Sequence, residues 1–260
     1  MAFRNLRSAD RGGVRTITIQ RPDKLNALDR ATLDELMQAF QQARVDPGVR
    51  VVVLAGAGDK AFVAGADIAA MSDFDAAQAQ AFSRAGQALM RTIEQLGKPV
   101  IARLQGYALG GGMELAMACH LRIAARRARL GQPEINLGLI PGFGGTQRLL
   151  RLAGRGAALE LCLLGQPIDA ERALALGLVT RVVDDGALDA AVAELADNLA
   201  AAAPRALAGI LDAVDTGGEC ALDQGLAYET QTFALCFASA DRREGMHAFL
   251  ERRKPVFSGR

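Results

Sequence analysis

Residues 103–148 read RLQGYALGGGMELAMACHLRIAARRARLGQPEINLGLIPGFGGTQR, and two acidic residues in this stretch stand apart from other charges. Glu114 is the only Asp, Glu, Lys or Arg within residues 104–121, and Glu134 is the only one within residues 130–147. Burial of a carboxylate in apolar surroundings costs free energy and raises its pKa toward neutrality. Two such carboxyl groups close in space would suit proton transfer, so their isolation predicts a proton-transfer site.

Two loops of small residues could let a ligand approach the backbone. The glycine triplet 110–112 opens the helix that carries Glu114 and would leave N–H groups free at the positive end of the helix dipole. Such a site favours an anion or a transition-state oxyanion, but tight helix–strand packing explains the glycines equally well. Residues 64–67 (AGAD) form a second loop, and the two loops together could each supply one N–H to a single oxygen. Residues 142–145 (GFGG) lack P-loop lysine and GxGxxG spacing, which predicts a close-packed turn.

The size and balanced composition of the chain predict one large globular domain, or one domain with a smaller appendage. Half of its 260 residues are hydrophobic, and its formal net charge is +1. The near-zero charge and the absence of tryptophan argue against a nucleic-acid surface. The N-terminus has no apolar signal segment, and no apolar run approaches the ~20 residues of a membrane span. We therefore expect a cytoplasmic protein that contacts neither nucleic acid nor membrane.

The cysteines and histidines form no recognisable metal or nucleophile motif. Each cysteine lies in an apolar helical context without CxxC or zinc-type spacing: Cys119, Cys162, Cys220 and Cys236. Cysteine in such a context usually behaves as a small core residue. Because His120 and His247 are the only histidines, the chain has few residues that could form a histidine metal site or a catalytic Cys–His pair. We expect no bound metal, and the cysteine usage fits a reducing cytosol.

Strand and helix patterns alternate up to about residue 185, which predicts βαβ units. One helix is expected to be capped by Asp29 and broken at Pro47. The predicted strands are 14–20, 51–54, 100–104, 121–125 and 178–183, and the later helices of this part are 76–96, 113–119, 146–153, 159–164 and 170–176. From Leu188 onward the pattern is helical, with a capping box expected at Asp241 and Glu244. This C-terminal third is too thin for its own core, so its apolar faces must pack on the α/β body, on a neighbouring subunit, or on both.

Five motifs resemble those of the enoyl-CoA hydratase (crotonase) family: RPDKLNAL at 21–28, AFVAGADIAAM at 61–71, GYALGGGMELAMAC at 106–119, GQPEINLGLIPGFGGTQRL at 131–149 and FLERRKPVF at 249–257. The resemblance spans essentially the whole chain, and the order of the motifs is specific. It implies an α/β fold in which a crotonase-like spiral of ββα/βαβ repeats over residues 1–190 holds the active site. A C-terminal helical region over residues 191–260 would build a homo-oligomer, either a trimer or a dimer of trimers.

The resemblance also implies a hydro-lyase that adds water reversibly across the 2,3 double bond of a 2-enoyl-CoA thioester. Glu114 and Glu134 match the two catalytic glutamates of family hydratases. Glu114 would activate the water, and Glu134 would deliver a proton to the α-carbon. The backbone N–H groups of Ala66 and Gly111 match the oxyanion hole around the thioester carbonyl. Coenzyme A is part of the substrate, and no metal or redox cofactor is implied for this step of fatty-acid or related acyl-CoA degradation.

The same resemblance assigns further substrate contacts, chiefly at the coenzyme A end: Lys24, Leu25, Ala27, Ala64, Ala66, Asp67, Ile68, Gly110 and Gly111. Lys254 in the C-terminal tail is expected to contact a phosphate of a neighbouring subunit's ligand, although a short basic run is as often a solvated surface. At residues 119–120 the chain has Cys-His where the family often has Cys-Asp, and we expect a local structural effect there.

Three alternative functions stay open at the level of sequence. An enoyl-CoA isomerase commonly lacks one of the two glutamates, so the presence of both favours a hydratase. A specialised hydratase for branched or aromatic acyl groups fits the same motifs, because acyl chain length is not written in them. A non-catalytic acyl-CoA-binding protein would be expected to lose a glutamate or to fill a glycine loop, and this chain does neither.

Overall fold

The computed structural model describes residues 3–260 and gives an α/β body followed by helices. In chain order its strands are β1 Leu6–Arg11, β2 Val14–Ile19, β3 Val51–Gly56, β4 Ala61–Val63, β5 Val100–Leu104, β6 Tyr107–Leu109, β7 Leu121–Ala125, β8 Arg129–Gly131, β9 Ile168–Asp169 and β10 Arg181–Val183. Its α-helices are α1 Arg30–Val45, α2 Ile68–Met71, α3 Ala76–Glu94, α4 Gly111–Ala118, α5 Gly145–Leu164, α6 Ala170–Ala175, α7 Leu188–Ala201, α8 Pro204–Gly218, α9 Leu222–Phe237 and α10 Ala240–Leu250. Short 3₁₀ turns lie at Pro22–Lys24, Pro133–Leu137 and Asp185–Ala187.

The strands alternate between two sheets. The larger sheet has the order β1-β2-β3-β5-β7-β10, and the smaller has the order β4-β6-β8-β9. The consecutive pairs β3–β4, β5–β6 and β7–β8 each send one strand to each sheet before the chain enters a helix. Pairing is parallel throughout except for β1 with β2 and β8 with β9. The chain therefore winds as a spiral of ββα repeats, which confirms the fold class implied by the resemblance.

Most predicted elements are present, and the differences have local causes. The first four predicted strands correspond to β2, β3, β5 and β7, whereas the fifth is limited to β10. The two helices predicted at 146–153 and 159–164 correspond to the two helical segments of α5, which are separated by a kink at Gly154, where the backbone is not helical and φ is +78°. β1 was not predicted because its sequence, LRSADR, is polar and only Leu6 is buried. β4, β6, β8 and β9 contain at most three residues each, which is too short for a periodic pattern.

Helix capping agrees with the prediction at α1 and disagrees at α10. The Asp29 side chain accepts a hydrogen bond from the N–H of Thr32, 2.8 Å away, and caps α1 as predicted. The predicted capping box at Asp241 is wrong, because Ser239 caps α10 by accepting the N–H of Arg242. Ser239 precedes Asp241 by two residues and takes the position at which a cap can reach the first turn. The Asp241 carboxylate instead accepts the N–H groups of residues 258 and 259 and fixes the C-terminal tail.

The hydrophobic core lies on both faces of the larger sheet. One face packs against α1, α3 and α4 in a single cluster that includes Ile17, Ile19, Leu36, Phe40, Leu54, Leu89 and Ile93. The other face packs against α7, with a cluster that includes Val14, Val51, Val53, Ile101, Ile123, Leu188, Val192 and Ala196. α7 therefore completes the α/β body of its own chain and crosses the expected boundary at residue 190. The division of the chain into residues 1–190 and 191–260 stays a prediction.

The last three helices pack more loosely on the chain. Every residue of α8 and α9 is half-buried or exposed. Large apolar side chains of these two helices meet solvent: Ile210, Val214, Leu222, Leu226, Phe233, Leu235 and Phe237. Within residues 3–260, none of the helices combines the length and the hydropathy that a bilayer span requires.

His120 has the local structural role that its unusual position led us to expect. Its Nδ1 accepts the N–H of Val100 at the start of β5, and its Nε2 lies 3.0 Å from the carbonyl oxygen of Glu94 at the end of α3. Because Nδ1 accepts, Nε2 carries the proton and donates it, which is the arrangement of a neutral imidazole. Burial lowers the pKa of His120 and favours this neutral form. The imidazole therefore ties the end of α3 to the larger sheet.

Gly86, in the middle of α3, makes room for the Phe143 ring. A Cβ atom on Gly86 would lie 2.1 Å from Cδ1 of that ring, closer than real Cβ contacts allow. The ring also packs edge-to-face on Phe82, with 5.2 Å between the ring centroids. Glycine in a helix interior is unfavourable by about 0.5–1 kcal/mol relative to alanine, so close packing is the physical reason for this residue.

We predict that Gly86→Ala lowers the free energy of unfolding by about 1–3 kcal/mol, because the added methyl group overlaps the Phe143 ring. The matched control is Gly156→Ala in α5, where the new Cβ would project into open space and helix propensity improves by up to about 1 kcal/mol. Urea denaturation followed by circular dichroism measures both values. Equal stability of the two variants would contradict the assignment.

Candidate active site

Three neighbouring strands of the smaller sheet end at the candidate site. β4, β6 and β8 pair in parallel, and the chain leaves them as the loop 64–67, the glycine triplet 110–112 and the turn 132–137. In parallel sheets, ligands bind in the crevice outside the carboxyl ends of the strands. The structure therefore brings both predicted small-residue loops and Glu134 to one edge of the smaller sheet.

The loop 64–67 pairs along the segment that follows the first 3₁₀ turn. The Ala64 N–H donates to the carbonyl of Leu25 at 3.0 Å, and the Leu28 N–H donates to the carbonyl of Gly65 at 2.9 Å. The Asp67 N–H in turn donates to the carbonyl of Leu28 at 2.8 Å. These backbone bonds fix two segments that are distant in sequence, and the predicted contact residues at 25, 64 and 67 lie together.

Asp67 adds an ionic connection between the same segments. Its Oδ2 lies 2.9 Å from the guanidinium of Arg21 and 3.5 Å from the ammonium of Lys24. Burial acts to raise the pKa of Asp67, but these two cations outweigh it and leave the pKa below its usual value. Arg21 also donates to the carbonyl of Ala27. Lys24 and Ile68, the first residue of α2, keep about half of their surface exposed at this edge.

The backbone N–H groups of Ala66 and Gly111 are close neighbours. The nitrogen of Ala66 lies 3.6 Å from the position that a Cβ on Gly111 would take. Among residues 3–260, no acceptor is hydrogen-bonded to either N–H group. The Gly110 N–H, in contrast, donates to the carbonyl of Gly131 at 2.8 Å. Two unpartnered donors on adjacent loops are the arrangement that stabilises an oxyanion.

The glycine triplet serves both purposes that the sequence left open. A Cβ on Gly112 would lie 1.9 Å from the carbonyl oxygen of Val63, so this glycine allows β4 to pack on α4. Gly111 instead presents its N–H group beside the loop 64–67. Packing and ligand approach are therefore assigned to different residues of the same triplet.

The Glu114 side chain is buried and is held by two backbone donors. It is 1% exposed, and its Oε1 accepts the N–H groups of Phe143 at 2.7 Å and Gly145 at 2.6 Å. Burial raises the pKa of Glu114 to about 7, the nearby charge of Glu134 adds to this effect, and the two N–H groups oppose it. The carboxyl group can therefore gain or lose a proton near neutral pH.

The Glu134 carboxyl group lies at the N-terminal end of the helix that carries Glu114. Its Oε1 is 2.7 Å from the position that a Cβ on Gly110 would take. Burial raises the pKa of Glu134 to about 7, against a hydrogen bond from its own backbone amide. The structure thus brings together the two glutamates that the sequence singled out, and both have a pKa near neutrality.

Gln132 is a buried member of the site that the sequence analysis missed. We assign the carboxamide nitrogen to the side that faces Glu134, because the opposite orientation would set an amide oxygen against two carboxylate oxygens. The nitrogen then lies 3.1 Å from both Oε1 and Oε2 of Glu134. A polar residue two positions before Glu134 in an apolar stretch was a signal that could have identified it.

Two groups of predicted residues do not belong to this cluster. Lys254 is exposed in the tail after α10, and among residues 3–260 its side chain makes no hydrogen bond or ion pair with the loops of the site.

The cysteines are all unpaired, and burial raises the pKa of Cys119 to about 12, as expected for a core thiol. Cys220 contradicts the prediction of a core position, because it is exposed in the loop between α8 and α9. In the described part of the chain, no three His, Cys, Asp or Glu side chains cluster in a way that could hold a metal ion.

Comparisons with known proteins agree with this geometry. Residues 9–260 match the family model described as enoyl-CoA hydratase/isomerase. A short-chain-enoyl-CoA hydratase of Clostridium acetobutylicum is 43% identical over 254 residues, which cover 98% of this chain and 97% of that protein. A crotonyl-CoA hydratase of Syntrophomonas wolfei is also 43% identical and covers 99% of both chains.

The fold comparison gives the same result. The crystal structure of an enoyl-CoA hydratase from Bacillus anthracis superimposes with a TM-score of 0.96 at 39% identity, covering 99% of this chain and 100% of that one. The family-model match, the sequence identity and the similarity of fold all agree with the site formed by the two small-residue loops. The chain belongs to the enoyl-CoA hydratase/isomerase family.

Proposed function

We propose that this protein is an enoyl-CoA hydratase, which adds water reversibly across the 2,3 double bond of a 2-enoyl-CoA thioester to give a 3-hydroxyacyl-CoA. The observation that carries the proposal is the position of two carboxyl groups with pKa values of about 7 beside two backbone N–H groups that have no acceptor among residues 3–260. The names of the relatives from Clostridium acetobutylicum and Syntrophomonas wolfei support the same activity.

The two glutamates carry the protons of the reaction. The ionised Glu114 carboxylate takes a proton from water as the water oxygen bonds to the β-carbon of the enoyl group. The protonated Glu134 carboxyl group gives its proton to the α-carbon. A proton then returns from Glu114 to Glu134 through solvent, so the net change is the addition of one water. With both pKa values near 7 and like charges close together, a state with one ionised and one protonated carboxyl group is favoured at neutral pH.

The thioester oxygen gains negative charge during this addition. The N–H groups of Ala66 and Gly111, together with the N-terminal end of α4, are the donors that would stabilise it. Hydration moves protons and forms C–O and C–H bonds without electron transfer, so it needs no redox cofactor. Coenzyme A enters as part of the substrate, and the protein acts in the cytoplasm in acyl-CoA degradation.

The coenzyme A end of the substrate binds along the paired segments near residues 24–27 and 64–68. The support is their rigidity, since backbone bonds and the ion pairs of Asp67 hold them together. The exposed ammonium of Lys24 can approach a phosphate without losing its contact with Asp67. Lys254 is exposed on the tail, and we assign it to the ligand of a neighbouring subunit.

The protein forms a homo-oligomer, either a trimer or a dimer of trimers. The support is the apolar surface of α8 and α9, where Ile210 is 60% exposed, Val214 is 68% exposed and Phe233 is 64% exposed. Large contiguous apolar patches of this kind mark protein interfaces.

We expect sedimentation velocity to give three or six times the chain mass of 27.4 kDa. Phe233→Glu should shift the protein toward smaller species, because a charge would be buried in the interface. The control is Val45→Glu, which adds the same charge at a 78% exposed apolar residue at the end of α1 and should leave the mass unchanged. A wild-type monomer would rule out the oligomer.

Glu114→Gln and Glu134→Gln should each lower the hydration of crotonyl-CoA by about 10²–10⁴-fold, the range for loss of a general acid or base. The assay follows the loss of enoyl-thioester absorbance and the gain of one water by mass. Deuterium incorporation at the α-carbon should collapse in Glu134→Gln. Binding of the saturated butyryl-CoA should persist, and Glu160→Gln on the exposed side of α5 is the control. Near-wild-type turnover of Glu114→Gln would remove that residue from the mechanism, and conversion of 3-enoyl-CoA alone would indicate an isomerase.

Gly111→Pro tests the oxyanion donor. Proline fits the first position of a helix and removes one N–H group, so hydration should fall by about 10²–10³-fold. Gly111→Ala is the matched control, because both variants add a Cβ that lies 3.2 Å from the Phe143 ring and 3.6 Å from the Ala66 nitrogen, and only alanine keeps the N–H group. Equal rates for the two variants would show that the reaction does not use this N–H group.

A further inference from the structure

Arg148, in the first turn of α5, connects two parts of the molecule through its whole guanidinium group. Its Nε and Nη2 donate to Oε1 and Oε2 of Glu94, the last residue of α3, at 2.5 and 2.8 Å. Its Nη1 donates to the carbonyl of Phe143 at 2.9 Å. The side chains of Arg148 and Glu94 are 17% and 29% exposed, so this bidentate pair is largely shielded from solvent.

The turn that Arg148 holds is the turn that holds Glu114. Phe143 accepts from Arg148 with its carbonyl oxygen and donates to Glu114 with its N–H group. Gly145, two residues later, gives the second donor to the same carboxylate oxygen. A continuous chain of hydrogen bonds therefore runs from Glu94 through Arg148 and Phe143 to Glu114.

The backbone of the turn is shaped to let the guanidinium reach it. Gly144 has φ +106°, a conformation that favours glycine. A Cβ at this residue would lie 2.2 Å from Nη1 of Arg148 and would displace it from the Phe143 carbonyl. At the other end, His120 holds the carbonyl of Glu94 and fixes the terminus of α3 that presents the carboxylate.

We propose that the Glu94–Arg148 ion pair positions Glu114 for proton transfer by fixing the Phe143–Gly145 turn that donates to its carboxylate. An ion pair that only joined α3 to α5 would use two guanidinium nitrogens. In Arg148 the third nitrogen, Nη1, also donates to the Phe143 carbonyl in the turn. The inference rests on the proposed function of Glu114. Arg148 is a positioning residue, since it contacts neither Glu114 nor the reacting atoms.

Arg151, one turn later in α5, provides a matched comparison. It makes a similar two-nitrogen pair with Glu219, at 2.8 and 3.4 Å, but this pair is exposed and lies outside the turn 143–145. Replacement of Arg151 by methionine therefore removes an Arg–Glu pair from the same helix without touching the turn.

The experiment compares Arg148→Met, Arg148→Lys, Glu94→Gln and Arg151→Met in the crotonyl-CoA assay. Arg148→Met should lower kcat by about 10–100-fold, since small misplacements of a reacting group reduce rates on this scale, while KM changes little. Arg148→Lys keeps the charge but has a single donor nitrogen, and it should recover part of the rate. Glu94→Gln should give a smaller loss than Arg148→Met, and Arg151→Met should behave as wild type. If Arg148→Met fails to fold, Arg148→Lys and Glu94→Gln carry the test.

The pH profile separates positioning from a general loss of structure. The charged groups that act on the pKa of Glu114 are Glu134 and Arg148, and the two glutamates in turn help to raise the pKa of the nearby Cys162 thiol. Weaker N–H donation and loss of the cation both disfavour the ionised carboxylate, so the acidic limb of kcat/KM should move to higher pH in Arg148→Met. An unchanged acidic limb with a reduced rate would overturn the proposal.

A double-mutant cycle gives the final measurement. If Arg148 acts through Glu114, then Arg148→Met added to Glu114→Gln causes no further loss of kcat, whereas multiplication of the two losses would overturn the proposal. If the wild-type protein fails to hydrate crotonyl-CoA at all, the proposed function fails separately. Carbon-13 NMR of labelled glutamate then still measures whether Arg148→Met raises the pKa of Glu114, and an unchanged pKa would reject the positioning role.

Discussion

The two hydrogen bonds from the turn 143–145 to the buried Glu114 carboxylate are the interaction on which the site depends. Without hydrogen-bond partners, the ionised form of this carboxyl group would be too unfavourable in such surroundings, and the group would stay protonated. Two backbone donors offset part of this penalty, and the resulting pKa of about 7 lets Glu114 exchange its proton. More complete solvation would lower the pKa of Glu114 and leave it ionised at neutral pH. Fewer donors would raise its pKa and leave it protonated at neutral pH. The chemistry of the site thus follows from the geometry of one turn.

The spiral fold supplies the other parts of the site at the same sheet edge. β4, β6 and β8 lie side by side in the smaller sheet, and each delivers one functional segment at its carboxyl end. These segments are the Ala66 loop, the Gly111 helix start and the Glu134 turn. Because successive repeats are parallel, residues separated by more than 20 positions in sequence become neighbours. The ligand crevice is a consequence of the repeat, and the loops only have to carry the right residues.

The sequence predicted the reacting groups better than it predicted their supports. Glu114 and Glu134 were recognisable because each is an isolated charge in an apolar stretch. Gln132 and Arg148 were not recognised, since their roles depend on contacts with residues brought near by the fold. The long strands and helices carry periodic patterns, whereas β4, β6 and β8 are only three residues long and carry none. At α10 two polar residues competed for the cap, and only the structure shows that Ser239 takes it.

The indirect placement of Arg148 has a physical reason. A guanidinium in direct contact with Glu114 would favour the ionised form strongly and lower the pKa far below neutrality, where the carboxylate could accept a proton from water only poorly. The Arg148 guanidinium instead forms its ion pair with Glu94, and it contacts the turn by donating a hydrogen bond to the neutral carbonyl of Phe143. The site thereby gains the rigidity of an ion pair without its full electrostatic effect on the reacting carboxyl group. Burial raises the pKa of Glu114, whereas the two N–H groups and the Arg148 cation, which is linked to Glu114 only through Phe143, lower it. The balance lets Glu114 gain or lose its proton near neutral pH.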